Sequence, residues 1–152
     1  MQSEQIPIPG HIVVIDDDRF VRDLTMDTIE YGVNRKVTAF ESGLKAWQYV
    51  LDHPKEVNVI IADANIPDMD GLELLTELKS THPEIAIILT TSNPHIEQKA
   101  CRLGADAFLL KPFCIDDLFL LVKQFILDDK DKEPKKIRLF PKTNEKDQAA
   151  IQ

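Results

Sequence analysis

Asp16, Asp17 and Asp18 follow directly on the apolar run Ile12 to Ile15, and three further runs end in a comparable way. Val57 to Ala62 ends on Asp63, Ile85 to Leu89 on Thr90 and Thr91, and Ala107 to Leu110 on Lys111 and Pro112. These residue types suit phosphoryl chemistry: carboxylates hold a hard divalent cation, and positive charge offsets what develops on phosphoryl oxygens. In an open α/β sheet, ligands bind outside the carboxyl ends of parallel strands, so residues just past strand ends meet even when far apart in sequence. The repeated placement predicts one site assembled from distant segments.

The elements that must position these residues alternate strictly. A strand at His11 to Asp16 leads into a helix from about Arg19 to Tyr31, with Asp17 or Asp18 suited to its N-cap and Gly32 to its stop. Lys36 to Phe40 reads as a second strand, and Leu44, Trp47, Val50 and Leu51 recur at helical spacing after Ser42-Gly43. Val57 to Ala62 is short, rich in β-branched residues and almost wholly apolar, as a central parallel strand covered on both faces must be. Turn formers from Asn65 to Gly71 then lead to a helix marked by Leu72, Leu74, Leu75 and Leu78. Asp68 and Asp70 read as turn and helix-start residues. Ile85 to Leu89 is a fourth strand, Ile96 to Leu103 a fourth helix ended by Gly104, Ala107 to Leu110 a fifth strand, and Ile115 to Leu127 the last helix.

Five βα units in succession predict an α/β fold, a doubly wound (βα)5 parallel five-stranded sheet in flavodoxin-like order 2-1-3-4-5. Residues 1–10 read as a flexible lead, 11–127 as one domain, and 128–152 as a charged tail or linker, either disordered or a short segment that docks on a partner. The 152 residues are 43% hydrophobic, enough for one real core. A net charge of -8 argues against direct attraction to nucleic acid or anionic lipid. The absence of any long apolar stretch or secretory leader predicts a cytoplasmic chain without membrane contact. Cys101 and Cys114 are too far apart for a CxxC pair and read as reduced packing residues. His11, His53, His82 and His95 show no metal-ligand spacing.

Taken singly, Asp17 or Asp18 would serve as a helix cap, Asp63 as a turn residue, Thr90 as a strand-end hydroxyl and Lys111 as a surface cation. Together, with "IIADANIPDMDGLELL" around Asp63 and "GADAFLLKPF" before the last helix, residues 11 to about 127 resemble the receiver domain of two-component response regulators. The resemblance implies that Asp63 accepts a phosphoryl group from a histidine kinase or histidine phosphotransfer protein. It further implies that Asp16, Asp17, Asp63 and the backbone carbonyl of Asn65 hold Mg²⁺, with Mn²⁺ an alternative, and that Lys111 binds the phosphoryl group. Thr90 and Phe108 take the switch positions, and proteins of this kind carry a cis peptide at the step corresponding to Lys111-Pro112.

These roles are chemically coherent. Carboxylates repel an incoming phosphoryl group, and a cation bound by oxygen ligands resolves the conflict while Lys111 adds a second charge. The loop Thr91 to His95 is about one residue shorter than is common in the family, which leaves Thr91 beside Thr90 as a candidate switch hydroxyl. Thr90 is preferred because it directly follows the apolar run. The last helix is apolar around more of its circumference than one core-facing stripe needs, which predicts a partner or homodimer surface there. Two alternatives stand beside the switch: a degenerate receiver that acts only as an interaction module, and a metal-dependent phosphohydrolase with an aspartate nucleophile. The second would need an acid/base carboxylate where Asn65 stands.

Overall fold

A computed structural model describes residues 11–127 and 137–139. Its parallel strands are β1 (His11–Ile15), β2 (Val37–Phe40), β3 (Val57–Asp63), β4 (Ala86–Thr91), β5 (Ala107–Leu110) and β6 (Ile137–Leu139), in the order β2-β1-β3-β4-β5-β6. The first five keep the expected order 2-1-3-4-5. The helices are α1 (Arg19–Val33), α2 (Gly43–Asp52), α3 (Gly71–Thr81), α4 (Glu97–Leu103) and α5 (Ile115–Leu127). The apolar runs form central strands because both of their faces are covered. Val13, Ile15, Ile60, Ile87, Leu89 and Phe108 pack toward α2, α3 and α4, whereas Ile12, Val14, Val59, Ile61, Ile88 and Leu109 pack toward α1 and α5.

The structure corrects several boundaries. α1 runs past Gly32 to Val33 and stops at Asn34, whose left-handed φ of 54° ends the helix in place of the expected glycine. Gly32 serves packing instead: a Cβ there would lie 1.6 Å from the Phe119 ring, which rests in the space that the missing side chain leaves on α1. β4 extends through Thr90 and Thr91, since the Lys111 N–H donates to the Thr91 carbonyl and prolongs the ladder. A 3-10 turn, Pro94–Ile96, precedes α4, which therefore starts at Glu97. Within the segment read as a tail, Ile137–Leu139 pairs with β5. The lead 1–10 and the remainder of 128–152 lie outside the described residues.

Three helix starts are capped by side chains, two of them, at Asp18 and Asp70, where the sequence predicts helix-start residues. Asp18 accepts from the Phe20 and Val21 N–H groups, Ser42 from Lys45 and Asp70 from Glu73, each of the kind worth about 1 kcal/mol to a helix. Asp68 sits in the turn with φ 70° and accepts from the Ser42 hydroxyl at 2.8 Å, which ties the loop after β3 to the start of α2. Cys114 is exposed rather than packed, because it stands at the start of α5, where its carbonyl accepts from the Asp117 and Leu118 N–H groups.

Candidate functional site

Asp16, Asp17 and Asp63 converge as expected: each offers a carboxylate oxygen within 4.8 Å of the others, the one such acidic cluster among the described residues. β1 and β3 are neighbours in the sheet, and alternation sets Asp16 and Asp63 on the same face, in the rows of Val14 and Ile61. Asp16 is buried, Asp17 is exposed at the mouth, and Asp63 is 9% exposed. Lys111 completes the group from the end of β5, with Nζ 2.6 Å from Asp63 Oδ2 and 3.2 Å from Asp16 Oδ2.

Local hydrogen bonds fix each carboxylate. Asp16 Oδ1 accepts from the Asp18 N–H at 2.9 Å, and Asp63 Oδ1 accepts from the Asn65 N–H at 2.9 Å. In both, the oxygen facing Lys111 is the other one. The loop after Asp63 is held from outside: the Ala64 N–H donates to the Thr90 carbonyl, and the Gly71 N–H donates to the Ala64 carbonyl. A Cβ at Gly71 would lie 2.7 Å from Ala64 Cα and 2.8 Å from the Asp63 carbonyl oxygen, so only glycine lets α3 start this close to the acceptor strand. The Arg22 guanidinium donates to the Asp16 carbonyl at 2.8 Å. Sequence reasoning missed both residues; the signal for Gly71 was its place directly after the cap Asp70, and that for Arg22 was its place one turn beyond Asp18.

Burial pushes the Asp16 carboxyl above its ordinary range, and the Asp63 charge adds to this, while the Asp18 N–H and Lys111 hold it back. Burial also works against the Lys111 ammonium, yet the Asp63 and Asp16 carboxylates outweigh it and hold its pKa above the ordinary lysine value. The donor set is entirely oxygen, the preference of Mg²⁺, and the crowded carboxylates need positive charge. The residues present therefore fit a hard divalent cation.

The two threonines divide. Register pairs Asp63 with Thr90, and alternation puts Thr90 on the face of Ile88 and Asp63. Thr91 lies on the face of Ile87 and Leu89, which is also the face of Phe108, and its hydroxyl accepts from the Asn93 N–H at 3.1 Å. Thr90 directly follows the apolar run Ile85 to Leu89, although β4 itself includes both threonines. Phe108 is packed inward at 3% exposure. Lys111-Pro112 is cis.

α5 presents less apolar surface than its sequence suggests. Leu118, Leu121, Val122 and Ile126 are buried, and Phe119 and Phe125 pack against the same layer. Leu120, 62% exposed, and the exposed Ile115 remain outward. No helix among the described residues is long and apolar enough to cross a membrane.

Comparisons with known proteins agree with this geometry. Residues 12–123 match the family model described as response regulator receiver domain. The DNA-binding transcriptional regulator NtrC of Escherichia coli K12 is 30% identical over 133 residues, covering 86% of this chain and 28% of the relative. The response regulator MprA of Mycobacterium sp. strain KMS is 26% identical over 121 residues, covering 78% of this chain and 51% of the relative. The chain thus spans between about a quarter and a half of these relatives' length. Among solved structures, the Francisella response regulator 1452 receiver domain superposes with a TM-score of 0.72 at 24% identity, covering 80% of this chain and 99% of that one. The BeF3-activated DrrB receiver domain gives 0.67 at 28% identity, covering 78% and 97%. Receiver domains are signalling switches of two-component systems that bind Mg²⁺ in an acidic pocket, and this chain belongs to the response regulator receiver domain family.

Proposed function

We propose that the chain is a phosphoacceptor switch that takes a phosphoryl group onto Asp63 from a phosphohistidine of a histidine kinase or phosphotransfer protein. An Asp63 carboxylate oxygen attacks phosphorus, the P–N bond of the donor breaks, and its electron pair stays on the imidazole nitrogen, leaving an acyl phosphate on Asp63. The observation that carries this reading is Lys111 Nζ set between Asp63 and Asp16, beside the Asp17 carboxylate. Lys111 holds the acceptor in place at rest and then has a phosphoryl oxygen to pair with. Asp16, Asp17, Asp63 and the Asn65 carbonyl would hold Mg²⁺ or Mn²⁺, which supplies charge neutralisation and in-line alignment when bound. Asn65 offers no acid/base carboxylate, which counts against the phosphohydrolase reading.

Switching then follows from added charge. The new phosphoryl oxygens accept from a hydroxyl on β4, and the shift reaches Phe108 and the surface of α4, β5 and α5. Thr90 shares the face of Asp63, which supports it as the hydroxyl that meets the phosphoryl group. Thr91 shares the face of Phe108, which supports it as the residue that passes the change on. Leu120 and Ile115 favour a protein partner or second copy on α5, and the net charge favours no direct nucleic-acid contact and no membrane contact, in keeping with a cytoplasmic switch.

The test is incubation with Mg²⁺ and acetyl phosphate followed by intact-mass measurement. A single added phosphoryl group, lost in Asp63→Asn and on chelation of the metal, is the expected result. No modification of the wild type would leave a pure interaction module, and multiple turnover of p-nitrophenyl phosphate would favour the hydrolase. Thr90→Ala is expected to change the lifetime of the phosphorylated form more than Thr91→Ala does.

A further inference from the structure

We propose that Ile137–Leu139 is a removable cover on the outer edge of β5, through which the chain occupies its own output edge. β6 pairs Ala107 with Ile137, Phe108 with Arg138 and Leu109 with Leu139. The Ala64 N–H donates to the Thr90 carbonyl, so Thr91 faces β5, where its carbonyl accepts from the Lys111 N–H; alternation then turns the backbone groups of Ala107 and Leu109 toward β4 and those of Phe108 the other way, toward β6. The parallel register sets the Phe108 N–H against the Ile137 carbonyl, and the Phe108 carbonyl against the Leu139 N–H. These are the groups that an open sheet edge would offer to an extended segment of another protein.

Topology explains why this cover is removable. α1 and α5 pack on the same face of the sheet, but β1 to β2 steps toward one edge and β5 to β6 toward the other. The two connections therefore have opposite hands. With β1-α1-β2 right-handed, as about 98% of such crossovers are, β5-α5-β6 has the rare left hand. β6 is thus not the natural continuation of the βα series. Eight of the nine residues 128–136 are charged, so the sequence there carries no apolar run, and the prolines at 134 and 141 bracket a short segment able to pair through its N–H groups. Backbone pairing over three residues ties β6 to the edge, each bond worth about 1 kcal/mol net.

β5 also carries Phe108 and runs directly into Lys111. Movement of either on phosphorylation shifts the strand on which β6 is zipped, and the expected direction is release. This coupling rests on the reading of Asp63 as phosphoacceptor; the cover itself does not.

Amide hydrogen exchange at Phe108 in the 152-residue chain tests both parts. Leu139→Pro removes the N–H that faces the Phe108 carbonyl and is expected to speed exchange at Phe108 roughly tenfold, whereas Leu139→Ala, which keeps the backbone bond, leaves it unchanged. Equal protection in wild type and Leu139→Pro would overturn the cover. Adding Mg²⁺ and beryllofluoride is expected to speed exchange in the wild type toward the Leu139→Pro rate and to change little in that variant. Unchanged protection with beryllofluoride shown bound by native mass measurement would overturn the coupling. Failure of beryllofluoride to bind would sink the Asp63 reading and leave the cover to be decided by the Leu139→Pro comparison alone.

Discussion

β1 begins and ends in buried polar clusters of opposite character. At its start, His11 Nε2 lies 2.6 Å from the Thr38 hydroxyl, and its ring meets Tyr49 edge-on at 5.4 Å, with Tyr49 stacked on His53 at 4.2 Å. Burial, with the charge of Lys36, holds the His11 pKa below its ordinary value and so favours its neutral ring, which is satisfied by its own neighbours. At the other end, Asp16 and Asp63 share one ammonium with Asp17 beside them, and the arrangement is complete only with more positive charge. Buried polar groups that pair among themselves stabilise a fold, whereas like charges held together store a demand for a ligand. The contrast separates structural from functional polarity without reference to any relative.

Gly71→Ala should have the largest effect on this contrast. Its Cβ would collide with the backbone of Ala64 and Asp63, which cannot yield as a flexible side chain does, and overpacking of this kind costs about 1–3 kcal/mol or more. Urea unfolding checks the stability, and the phosphorylation assay should fall with it, while the His11 cluster at the far end stays intact. A fully active, fully stable Gly71→Ala would show that the acceptor loop is not set by this approach.

Lys111→Met comes next. It leaves two carboxylates close together and is expected to cost about 1–3 kcal/mol in metal-free protein. Most of that loss should return on adding Mg²⁺, read as a larger metal-induced rise in the urea midpoint than in the wild type. A variant that is destabilised but does not respond to Mg²⁺ would break the claim that the cluster demands positive charge.

A smaller effect of opposite sign is expected for Asp16→Asn. Because the folded-state pKa of Asp16 is raised, its contribution favours the folded state when protonated and is lost as pH rises from the unfolded value through the folded one. At neutral pH the amide should therefore raise the metal-free urea midpoint while weakening Mg²⁺ binding, measured by titration calorimetry. A drop in stability would count the Lys111 pairing above burial.

The smallest effect belongs to His11. Its folded-state pKa is lowered, so its contribution is fully present above the unfolded value of about 6.5 and is lost as pH falls below that toward the folded value. His11→Gln should flatten the pH dependence of the urea midpoint below about pH 6.5. An unchanged slope would place the acid sensitivity elsewhere.

Much of this was legible in the chain because it depends on local pattern. Apolar runs of strand length, each closed by a polar residue, fix which side chains lie at one sheet edge, and helix-start residues such as Asp18 and Asp70 announce their helices. Boundaries were read less well. The expected stop at Gly32 failed because its lack of a side chain serves Phe119, a contact 87 positions away in sequence. Cys114 was taken for a packing residue, yet the start of α5 leaves it exposed.

The sequence by itself determined the order of the βα units and the identity of Asp16, Asp17, Asp63 and Lys111 as neighbours, since strand periodicity and the rule for parallel sheets leave one edge for them. Only the tertiary structure decided which oxygen of each carboxylate faces Lys111, which threonine shares a face with Asp63, why glycine stands at 71, and that Ile137–Leu139 lies along β5. Register, close backbone approach and the hand of a connection are relations between segments, and no local pattern of residue types encodes them.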